Sequence, residues 1–178
     1  MNFLALTGSL RARSINTELL RAAARIAPDG TTVTFSALLA TLPPFNPDLD
    51  EDGMRPPAPV AELRAQIGAA DGLLISCPEY AHGVPGSFKN ALDWLVGVGL
   101  VDKPVALINT SPTSTHAQAS LTEILITMSA TMVAEASLNL SIIGTRSDDA
   151  GIAADPAFAG PLRASLAALT AAARAGRW

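Results

Sequence analysis

The sequence predicts an α/β domain in which a five-stranded parallel sheet is covered by helices on both faces, and three observations lead there. Strand-like and helix-like segments alternate five times along the chain, the pattern of βα units. The strand segments, such as FLALT at 3–7 and PVALINT at 104–110, are apolar throughout instead of alternating with polar residues. Strands of that kind are buried on both faces, as in parallel sheets. The length of 178 residues suits one domain spanning 1–178, large enough to bury a core without disulfide or metal staples.

The elements follow in order. FLALT stops at Gly8-Ser9, after which Ile15, Leu19, Leu20, Ala23 and Ile26 recur at helical spacing until Pro28-Asp29-Gly30. TTVTFS at 31–36 is β-branched and aromatic, a second strand. Pro43, Pro44, Pro47, Pro56, Pro57 and Pro59 then mark a long connection, and loops of that length in compact domains serve as site or interface walls. A helix over 60–71 leads into GLLISC, the third strand, at 72–77. The next helix runs from about Pro85 to Val96, with proline in the first turn, where a missing N–H costs nothing. After the fourth strand come a polar loop, SPTSTHAQ, a helix near 118–133, a fifth strand EASLNLSI, and a last helix over 156–174. Right-handed crossovers leave chiefly two topologies, the flavodoxin-like order 2-1-3-4-5 and a truncated Rossmann arrangement. In both, ligands bind beyond the carboxyl ends of the strands, at the loops starting from Gly8, Pro78 and Ser111.

Composition narrows the function. A hydrophobic fraction of 49% with 16% charged residues excludes extended disorder. A net charge of −4 argues against a dedicated nucleic-acid binder, which must offset phosphate charge with a basic surface. One cysteine forms no internal disulfide, in keeping with a reducing compartment. The opening MNFLALTG has no basic leader and breaks at Gly8, and no apolar run approaches the roughly 20 residues of a membrane span. A cytoplasmic protein with no membrane partner is the expectation.

Two loops carry the chemistry. In GSLRARSINTE, residues 8–18, Ser9, Ser14, Asn16 and Thr17 offer short hydrogen-bonding side chains and Arg11 and Arg13 offer charge. The helix that follows adds free N–H groups and the positive end of its dipole, a set suited to a phosphate monoester. The plain alternative is that Ser14 or Asn16 caps the helix and the arginines are solvated. Neither GxxxxGK[ST] nor GxGxxG is present, so triphosphate and Rossmann-type dinucleotide binding lose support.

The second loop, SCPEYAHGVPG at 76–86, holds the only cysteine and tyrosine of the chain together with Glu79 and His82. Cys77 as a nucleophile would need a base near its sulfur, whereas its place at the end of an apolar strand is that of a small buried hydrophobe. Cys77, Glu79, His82 and His116 have no recognised metal-ligand spacing. The third reading treats the loop as a backbone surface: Pro78 and Pro85 stiffen it, Gly83 and Gly86 permit close approach, and its main chain can read the edge of a flat heterocycle.

GSLRARSINTELLRAA (8–23) and PEYAHGVPGSFKNALDWL (78–95) together resemble the NADPH-dependent FMN reductase family, flavodoxin-like flavoproteins that include chromate and quinone reductases. The resemblance implies a three-layer sandwich of sheet order 2-1-3-4-5. It also implies bound FMN, NADPH or NADH as reductant, and a homodimer or homotetramer with residues 43–59 and the helix carrying Trp94 as candidate walls. By position, Ser9, Arg11, Ser14, Asn16 and Thr17 would hold the FMN phosphate. Pro78, Glu79, Tyr80 and Ala81 would line the flavin ring with His82 beside them, and Thr110 and Ser111 would close its other side. Gly86, Lys89, Asn90, Asp93 and Trp94 match the family too and read mainly as structure. Hydride would pass from nicotinamide to flavin and electrons onward to a small-molecule acceptor: a quinone, metal oxyanion, azo compound or free flavin. No catalytic side chain is implied. The rival is a flavodoxin-like electron carrier or flavin-binding module without nicotinamide turnover. Two departures stand out: Ala81-His82-Gly83 replaces the family's Asn-x-Ser, where His82 could supply the lost contact, and SPTSTHAQ replaces a glycine-rich segment.

Overall fold

The computed structural model describes residues 1–142 and 148–176. Strand β1 (Asn2–Thr7) lies between β2 (Thr32–Phe35) and β3 (Gly72–Ser76), and β4 (Pro104–Asn109) and β5 (Thr131–Met132) extend the sheet beyond β3. All pairs are parallel, and the order β2-β1-β3-β4-β5 is the flavodoxin-like one. That order places the switch point between β1 and β3, whose carboxyl ends stand side by side with Thr7 opposite Ser76.

Strand geometry sends successive side chains to opposite faces, and both faces are buried. On one, Leu4, Leu6, Leu73, Ile75 and Leu107 pack against α2 (Ala58–Ala69), α3 (Gly86–Asp93) and α4 (Thr115–Thr127). On the other, Phe3, Ala5, Leu74 and Ile108 meet α1 (Ile15–Arg25) together with residues of the two C-terminal helices. Each fully buried Leu or Phe contributes about 1.5–3 kcal/mol of transfer free energy, so these two clusters are the main favourable term in the fold.

The proline-rich connection is ordered against α2 and α3. Its Pro43 carbonyl accepts from Trp94 Nε1 and Asn90 Nδ2, both at 2.9 Å, and Phe45 meets the Trp94 ring edge-on at 5.0 Å. Arg64 forks onto both Asp50 carboxylate oxygens at 2.9 and 2.6 Å and also donates to the Trp94 carbonyl. Trp94, 0% exposed, is a packing residue within the chain. Among the described residues no helix is long and apolar enough to cross a membrane.

Three elements differ from the sequence expectation, each for a local reason. Helix α4 spans Thr115–Thr127, three residues earlier than expected at its start and six at its end. It ends in a Schellman motif: Ser129 takes φ +61°, its N–H bonds to Ile126 O at 2.9 Å, and Ala130 N–H bonds to Leu125 O at 3.0 Å. A serine fills the left-handed position that glycine usually marks. The expected continuous fifth strand is instead two short pieces, β5 and β6 (Leu138–Asn139), separated by a 3₁₀ turn over Ala134–Ala136. Both pair with β4, and the Ser137 hydroxyl accepts the Leu107 N–H at 3.1 Å, filling the gap in the ladder. Helix α5 (Asp149–Ala154), which was not expected, is capped by Asp148 accepting from Gly151 N–H at 2.8 Å. The last helix, α6 (Pro156–Ala175), follows at once with Asp155 as its cap.

Candidate functional site

Polar side chains begin where the strands end. Thr7, Ser76 and Asn109 close β1, β3 and β4, and each organises the loop beyond it. Thr7 Oγ1 accepts from Ser9 N–H at 3.3 Å and from Thr17 Oγ1 at 3.2 Å, so the Thr17 side chain is committed to the base of the first loop. Asn16, 5% exposed, accepts at Oδ1 from Ser76 Oγ at 2.8 Å and from Thr110 Oγ1 at 3.2 Å. One carboxamide oxygen thereby ties the loops after β1, β3 and β4 together. Asn109 shapes the third loop by accepting from Ser111 N–H at 3.2 Å and donating to Ser114 O. The approach of the first two loops is close: Gly8 N–H donates to Ser76 O at 2.9 Å, and a Cβ on Gly8 would stand 2.5 Å from Cys77 Sγ. Glycine is required there.

These loops enclose a crevice of about 380 Å³ at the carboxyl edge of the sheet. The first loop contributes Ser9, Arg11, Arg13 and Ser14, with Ile15 and Asn16 from the first turn of α1; the second contributes Pro78, Glu79 and Tyr80. Thr110 and Ser114 line it from the third. Ser14 is the N-cap residue of α1, yet its hydroxyl makes no capping hydrogen bond. The first N–H groups of the helix have no intrahelical partner and add the positive end of its dipole. Neither the Arg11 nor the Arg13 guanidinium is paired among the described residues. Two unpaired cations, a serine hydroxyl without a capping bond and a helix N-terminus at one end of a crevice make a place for an anion in a chain of net charge −4.

The other end is a flat edge of main chain. Tyr80 and Gly83 exchange N–H···O bonds of 3.1 and 3.0 Å across a two-residue turn in which Ala81 and His82 take φ +50° and +59°. Neither Ala81 nor His82 is part of the crevice lining. His82, with its side chain 78% exposed, holds its Nδ1 3.1 Å from Glu79 Oε1, and its ring meets His116 edge-on at 4.5 Å. Glu79 Oε2 accepts from Ala117 N–H at 2.9 Å. The Ala117 N–H, and after it His82, hold the Glu79 carboxyl below the usual carboxylate range.

Cys77 is buried, and burial pushes its thiol up to about 12. At neutral pH it is therefore a thiol packed against Gly8 and no nucleophile. Among the described residues, no group of three His, Cys, Asp or Glu side chains is arranged to hold a metal ion.

Of the residues singled out in the sequence, Ser9, Arg11, Ser14, Asn16, Pro78, Glu79, Tyr80 and Thr110 meet at the crevice. Thr17, Ala81, His82 and Ser111 stand outside its lining, engaged as described. Arg13, named with Arg11 as a source of charge but not placed on the phosphate, lines it too, as do Ile15 and Ser114, which the sequence reading does not name as site residues. The position of Ser114 immediately before a helix is the one sequence signal for it.

A flavodoxin-like sheet with an anion-suited loop at one end of its crevice and a main-chain edge at the other defines a domain for a phosphorylated, ring-bearing cofactor. The chain belongs to the NADPH-dependent FMN reductase family, whose profile matches residues 1–144. It is 42% identical over 111 residues to a quinone reductase of Escherichia coli (strain K12), a match covering 60% of this chain and 57% of that protein. An NADPH:quinone oxidoreductase of Arabidopsis thaliana is 40% identical over 111 residues, covering 60% and 56%. The matches thus span little more than half the length of these relatives. Over 98% of the chain, the fold superposes on 97% of a solved flavoenzyme, the NAD(P)H:(acceptor) oxidoreductase FerB of Paracoccus denitrificans, with TM-score 0.77 and 26% identity.

The family's cofactor, FMN, has a doubly charged phosphate and a flat ring, and the residues present fit it. The unpaired guanidiniums and the uncapped Ser14 hydroxyl suit the phosphate. The crevice volume lies in the range of small-molecule sites.

Proposed function

We propose that this chain is a single-domain, FMN-dependent NAD(P)H oxidoreductase whose electron acceptor is a small quinone. The observation that carries the reading is the joining, in one crevice, of an unpaired cationic loop to a flat main-chain edge, within a chain of this family. In this reading Arg11, Ser9, Ser14 and the first N–H groups of α1 would hold the phosphate, the arginine as its charged partner. The Pro78–Tyr80 main chain reads the polar edge of the ring, and Tyr80, half-exposed at the mouth, limits water access to it. Asn16 acts by holding the three loops in register. When bound, FMN supplies the redox chemistry, taking hydride from the reduced nicotinamide and giving electrons to the acceptor. No side-chain acid or base is assigned.

The named activities of the E. coli and Arabidopsis relatives support quinones as the acceptor class. The same reading includes a cytoplasmic location, use of NADPH or NADH, and assembly as a homodimer or homotetramer. The test is turnover: FMN-loaded protein mixed with NADPH and a benzoquinone consumes nicotinamide, followed by its absorbance. A loaded protein that binds FMN and leaves NADPH and NADH unoxidised is an electron carrier or flavin-binding module instead.

A further inference from the structure

We propose that Glu79 is a positioning residue for the flavin ring: its carboxylate clamps the loop after β3 to the first turn of α4 and so sets the gap that a flat ring enters. This rests on the functional reading above and deepens it.

Both carboxylate oxygens are committed inside the protein. One accepts from Ala117 N–H at 2.9 Å and the other lies 3.1 Å from His82 Nδ1, with the side chain only 11% exposed. The helix it meets needs that bond. Ser114, the N-cap residue of α4, makes no side-chain capping hydrogen bond, so a residue 38 positions away supplies the cap. A carboxylate there also faces the positive end of the helix dipole.

The loop being clamped is under backbone strain. Ala81 and His82 both lie in the left-handed region, the arrangement of a type I′ turn, which Asn-Gly ordinarily fills. Strain of this kind persists where the surroundings over-determine it. Here the His82 side chain bonds to Glu79 itself, and its ring meets His116 at the start of α4 edge-on. Release of Glu79 would free the turn and the α4 start together, and with them the two walls on either side of the ring position. In this role Glu79 acts on the ring through its main chain and through the gap that its two bonds set.

The test titrates the apoprotein with FMN and, separately, with riboflavin, which has the ring and lacks the phosphate. Glu79→Ala is expected to weaken both by the same factor, about tenfold, the scale of one lost hydrogen bond to a charged group. Glu79→Gln still accepts from Ala117 N–H and should recover to within about threefold of wild type. Arg11→Ala should weaken FMN far more than riboflavin. His82→Ala, on an exposed side chain remote from the core, should weaken both flavins in the same sense as Glu79→Ala and by less, so the inference stays testable if the Glu79 variant folds poorly. Riboflavin affinity unchanged in a folded Glu79→Ala overturns the inference, and so does a Gln variant as weak as the Ala one. A wild-type chain that binds neither flavin overturns the functional reading itself.

Discussion

Gly8→Ala is a one-methyl change whose cost can be worked from the geometry. The new Cβ would lie 2.5 Å from Cys77 Sγ and 3.2 Å from Cys77 Cα and Cβ. Optimal carbon contacts lie near 3.5–4.0 Å, so the ends of β1 and β3 must part by about 1 Å. The sulfur cannot swing clear, because Cys77 is itself packed in the core cluster under α2 and α3. Overpacking of this kind costs about 1–3 kcal/mol. At about 2 kcal/mol, a domain of this size should melt about 4–8 °C lower. The displacement also stretches the Gly8 N–H···O Ser76 bond and moves Ser9 next door, so FMN affinity should fall with stability. Cys77→Ala removes the sulfur but leaves the 3.2 Å contacts, so adding it to Gly8→Ala should restore about half the loss. Urea unfolding of the four proteins of this cycle measures the coupling. A fully stable Gly8→Ala, or a loss that is the same with and without the Cys77 sulfur, would refute the close-approach explanation.

Three further outcomes follow from individual contacts. The Glu79 carboxyl is held below the usual range, so its contribution to stability is complete above about pH 5, near the ordinary glutamate value and higher, and is lost as pH falls through the lower folded value. The stability difference between wild type and Glu79→Ala, taken from urea curves at successive pH values, should be flat above pH 5 and shrink below it; a difference that grows in acid contradicts the assignment. The Cys77 thiol, pushed up to about 12, should resist alkylation in the native protein and react as one equivalent in denaturant. Arg64→Ala removes the fork onto Asp50 and the bonds to the Trp94 carbonyl, costing about 2–3 kcal/mol and exposing residues 43–57 to limited proteolysis. A proteolysis pattern identical to wild type would show that the proline-rich connection is held by Pro43 and Phe45 alone.

The parts of the fold legible in the sequence are those written in short-range pattern. β1, β3 and β4 are unbroken apolar runs, and α1 repeats its apolar residues at helical spacing, so the parallel sheet and the location of the crevice follow from connection rules, which leave two strand orders between which the family resemblance chooses. What was hidden depends on exceptions or distance. Ser129 ends α4 in a conformation usually signalled by glycine, so the helix was read as running on and the fifth strand as starting late and unbroken. Helix α5 has only six residues, too few to show a period. In the site, the anion-suited loop was visible because its hydroxyls and arginines fall within ten residues. The partners of Asn16 lie 60 and 94 positions away, and Ala117, one of the two partners of Glu79, lies 38 away. Spacing along the chain carries no trace of such contacts, nor of the edge-on meeting of His82 with His116.

The central claim, that FMN sits in this crevice with its phosphate on the first loop, is tested most directly by equilibrium titration of the apoprotein with FMN, followed by flavin fluorescence. Wild type should bind one FMN per chain, and Arg11→Ala and Ser14→Ala should each weaken it, by about ten- to a hundredfold for the arginine. Undiminished FMN affinity in both variants would place the phosphate elsewhere and contradict the account.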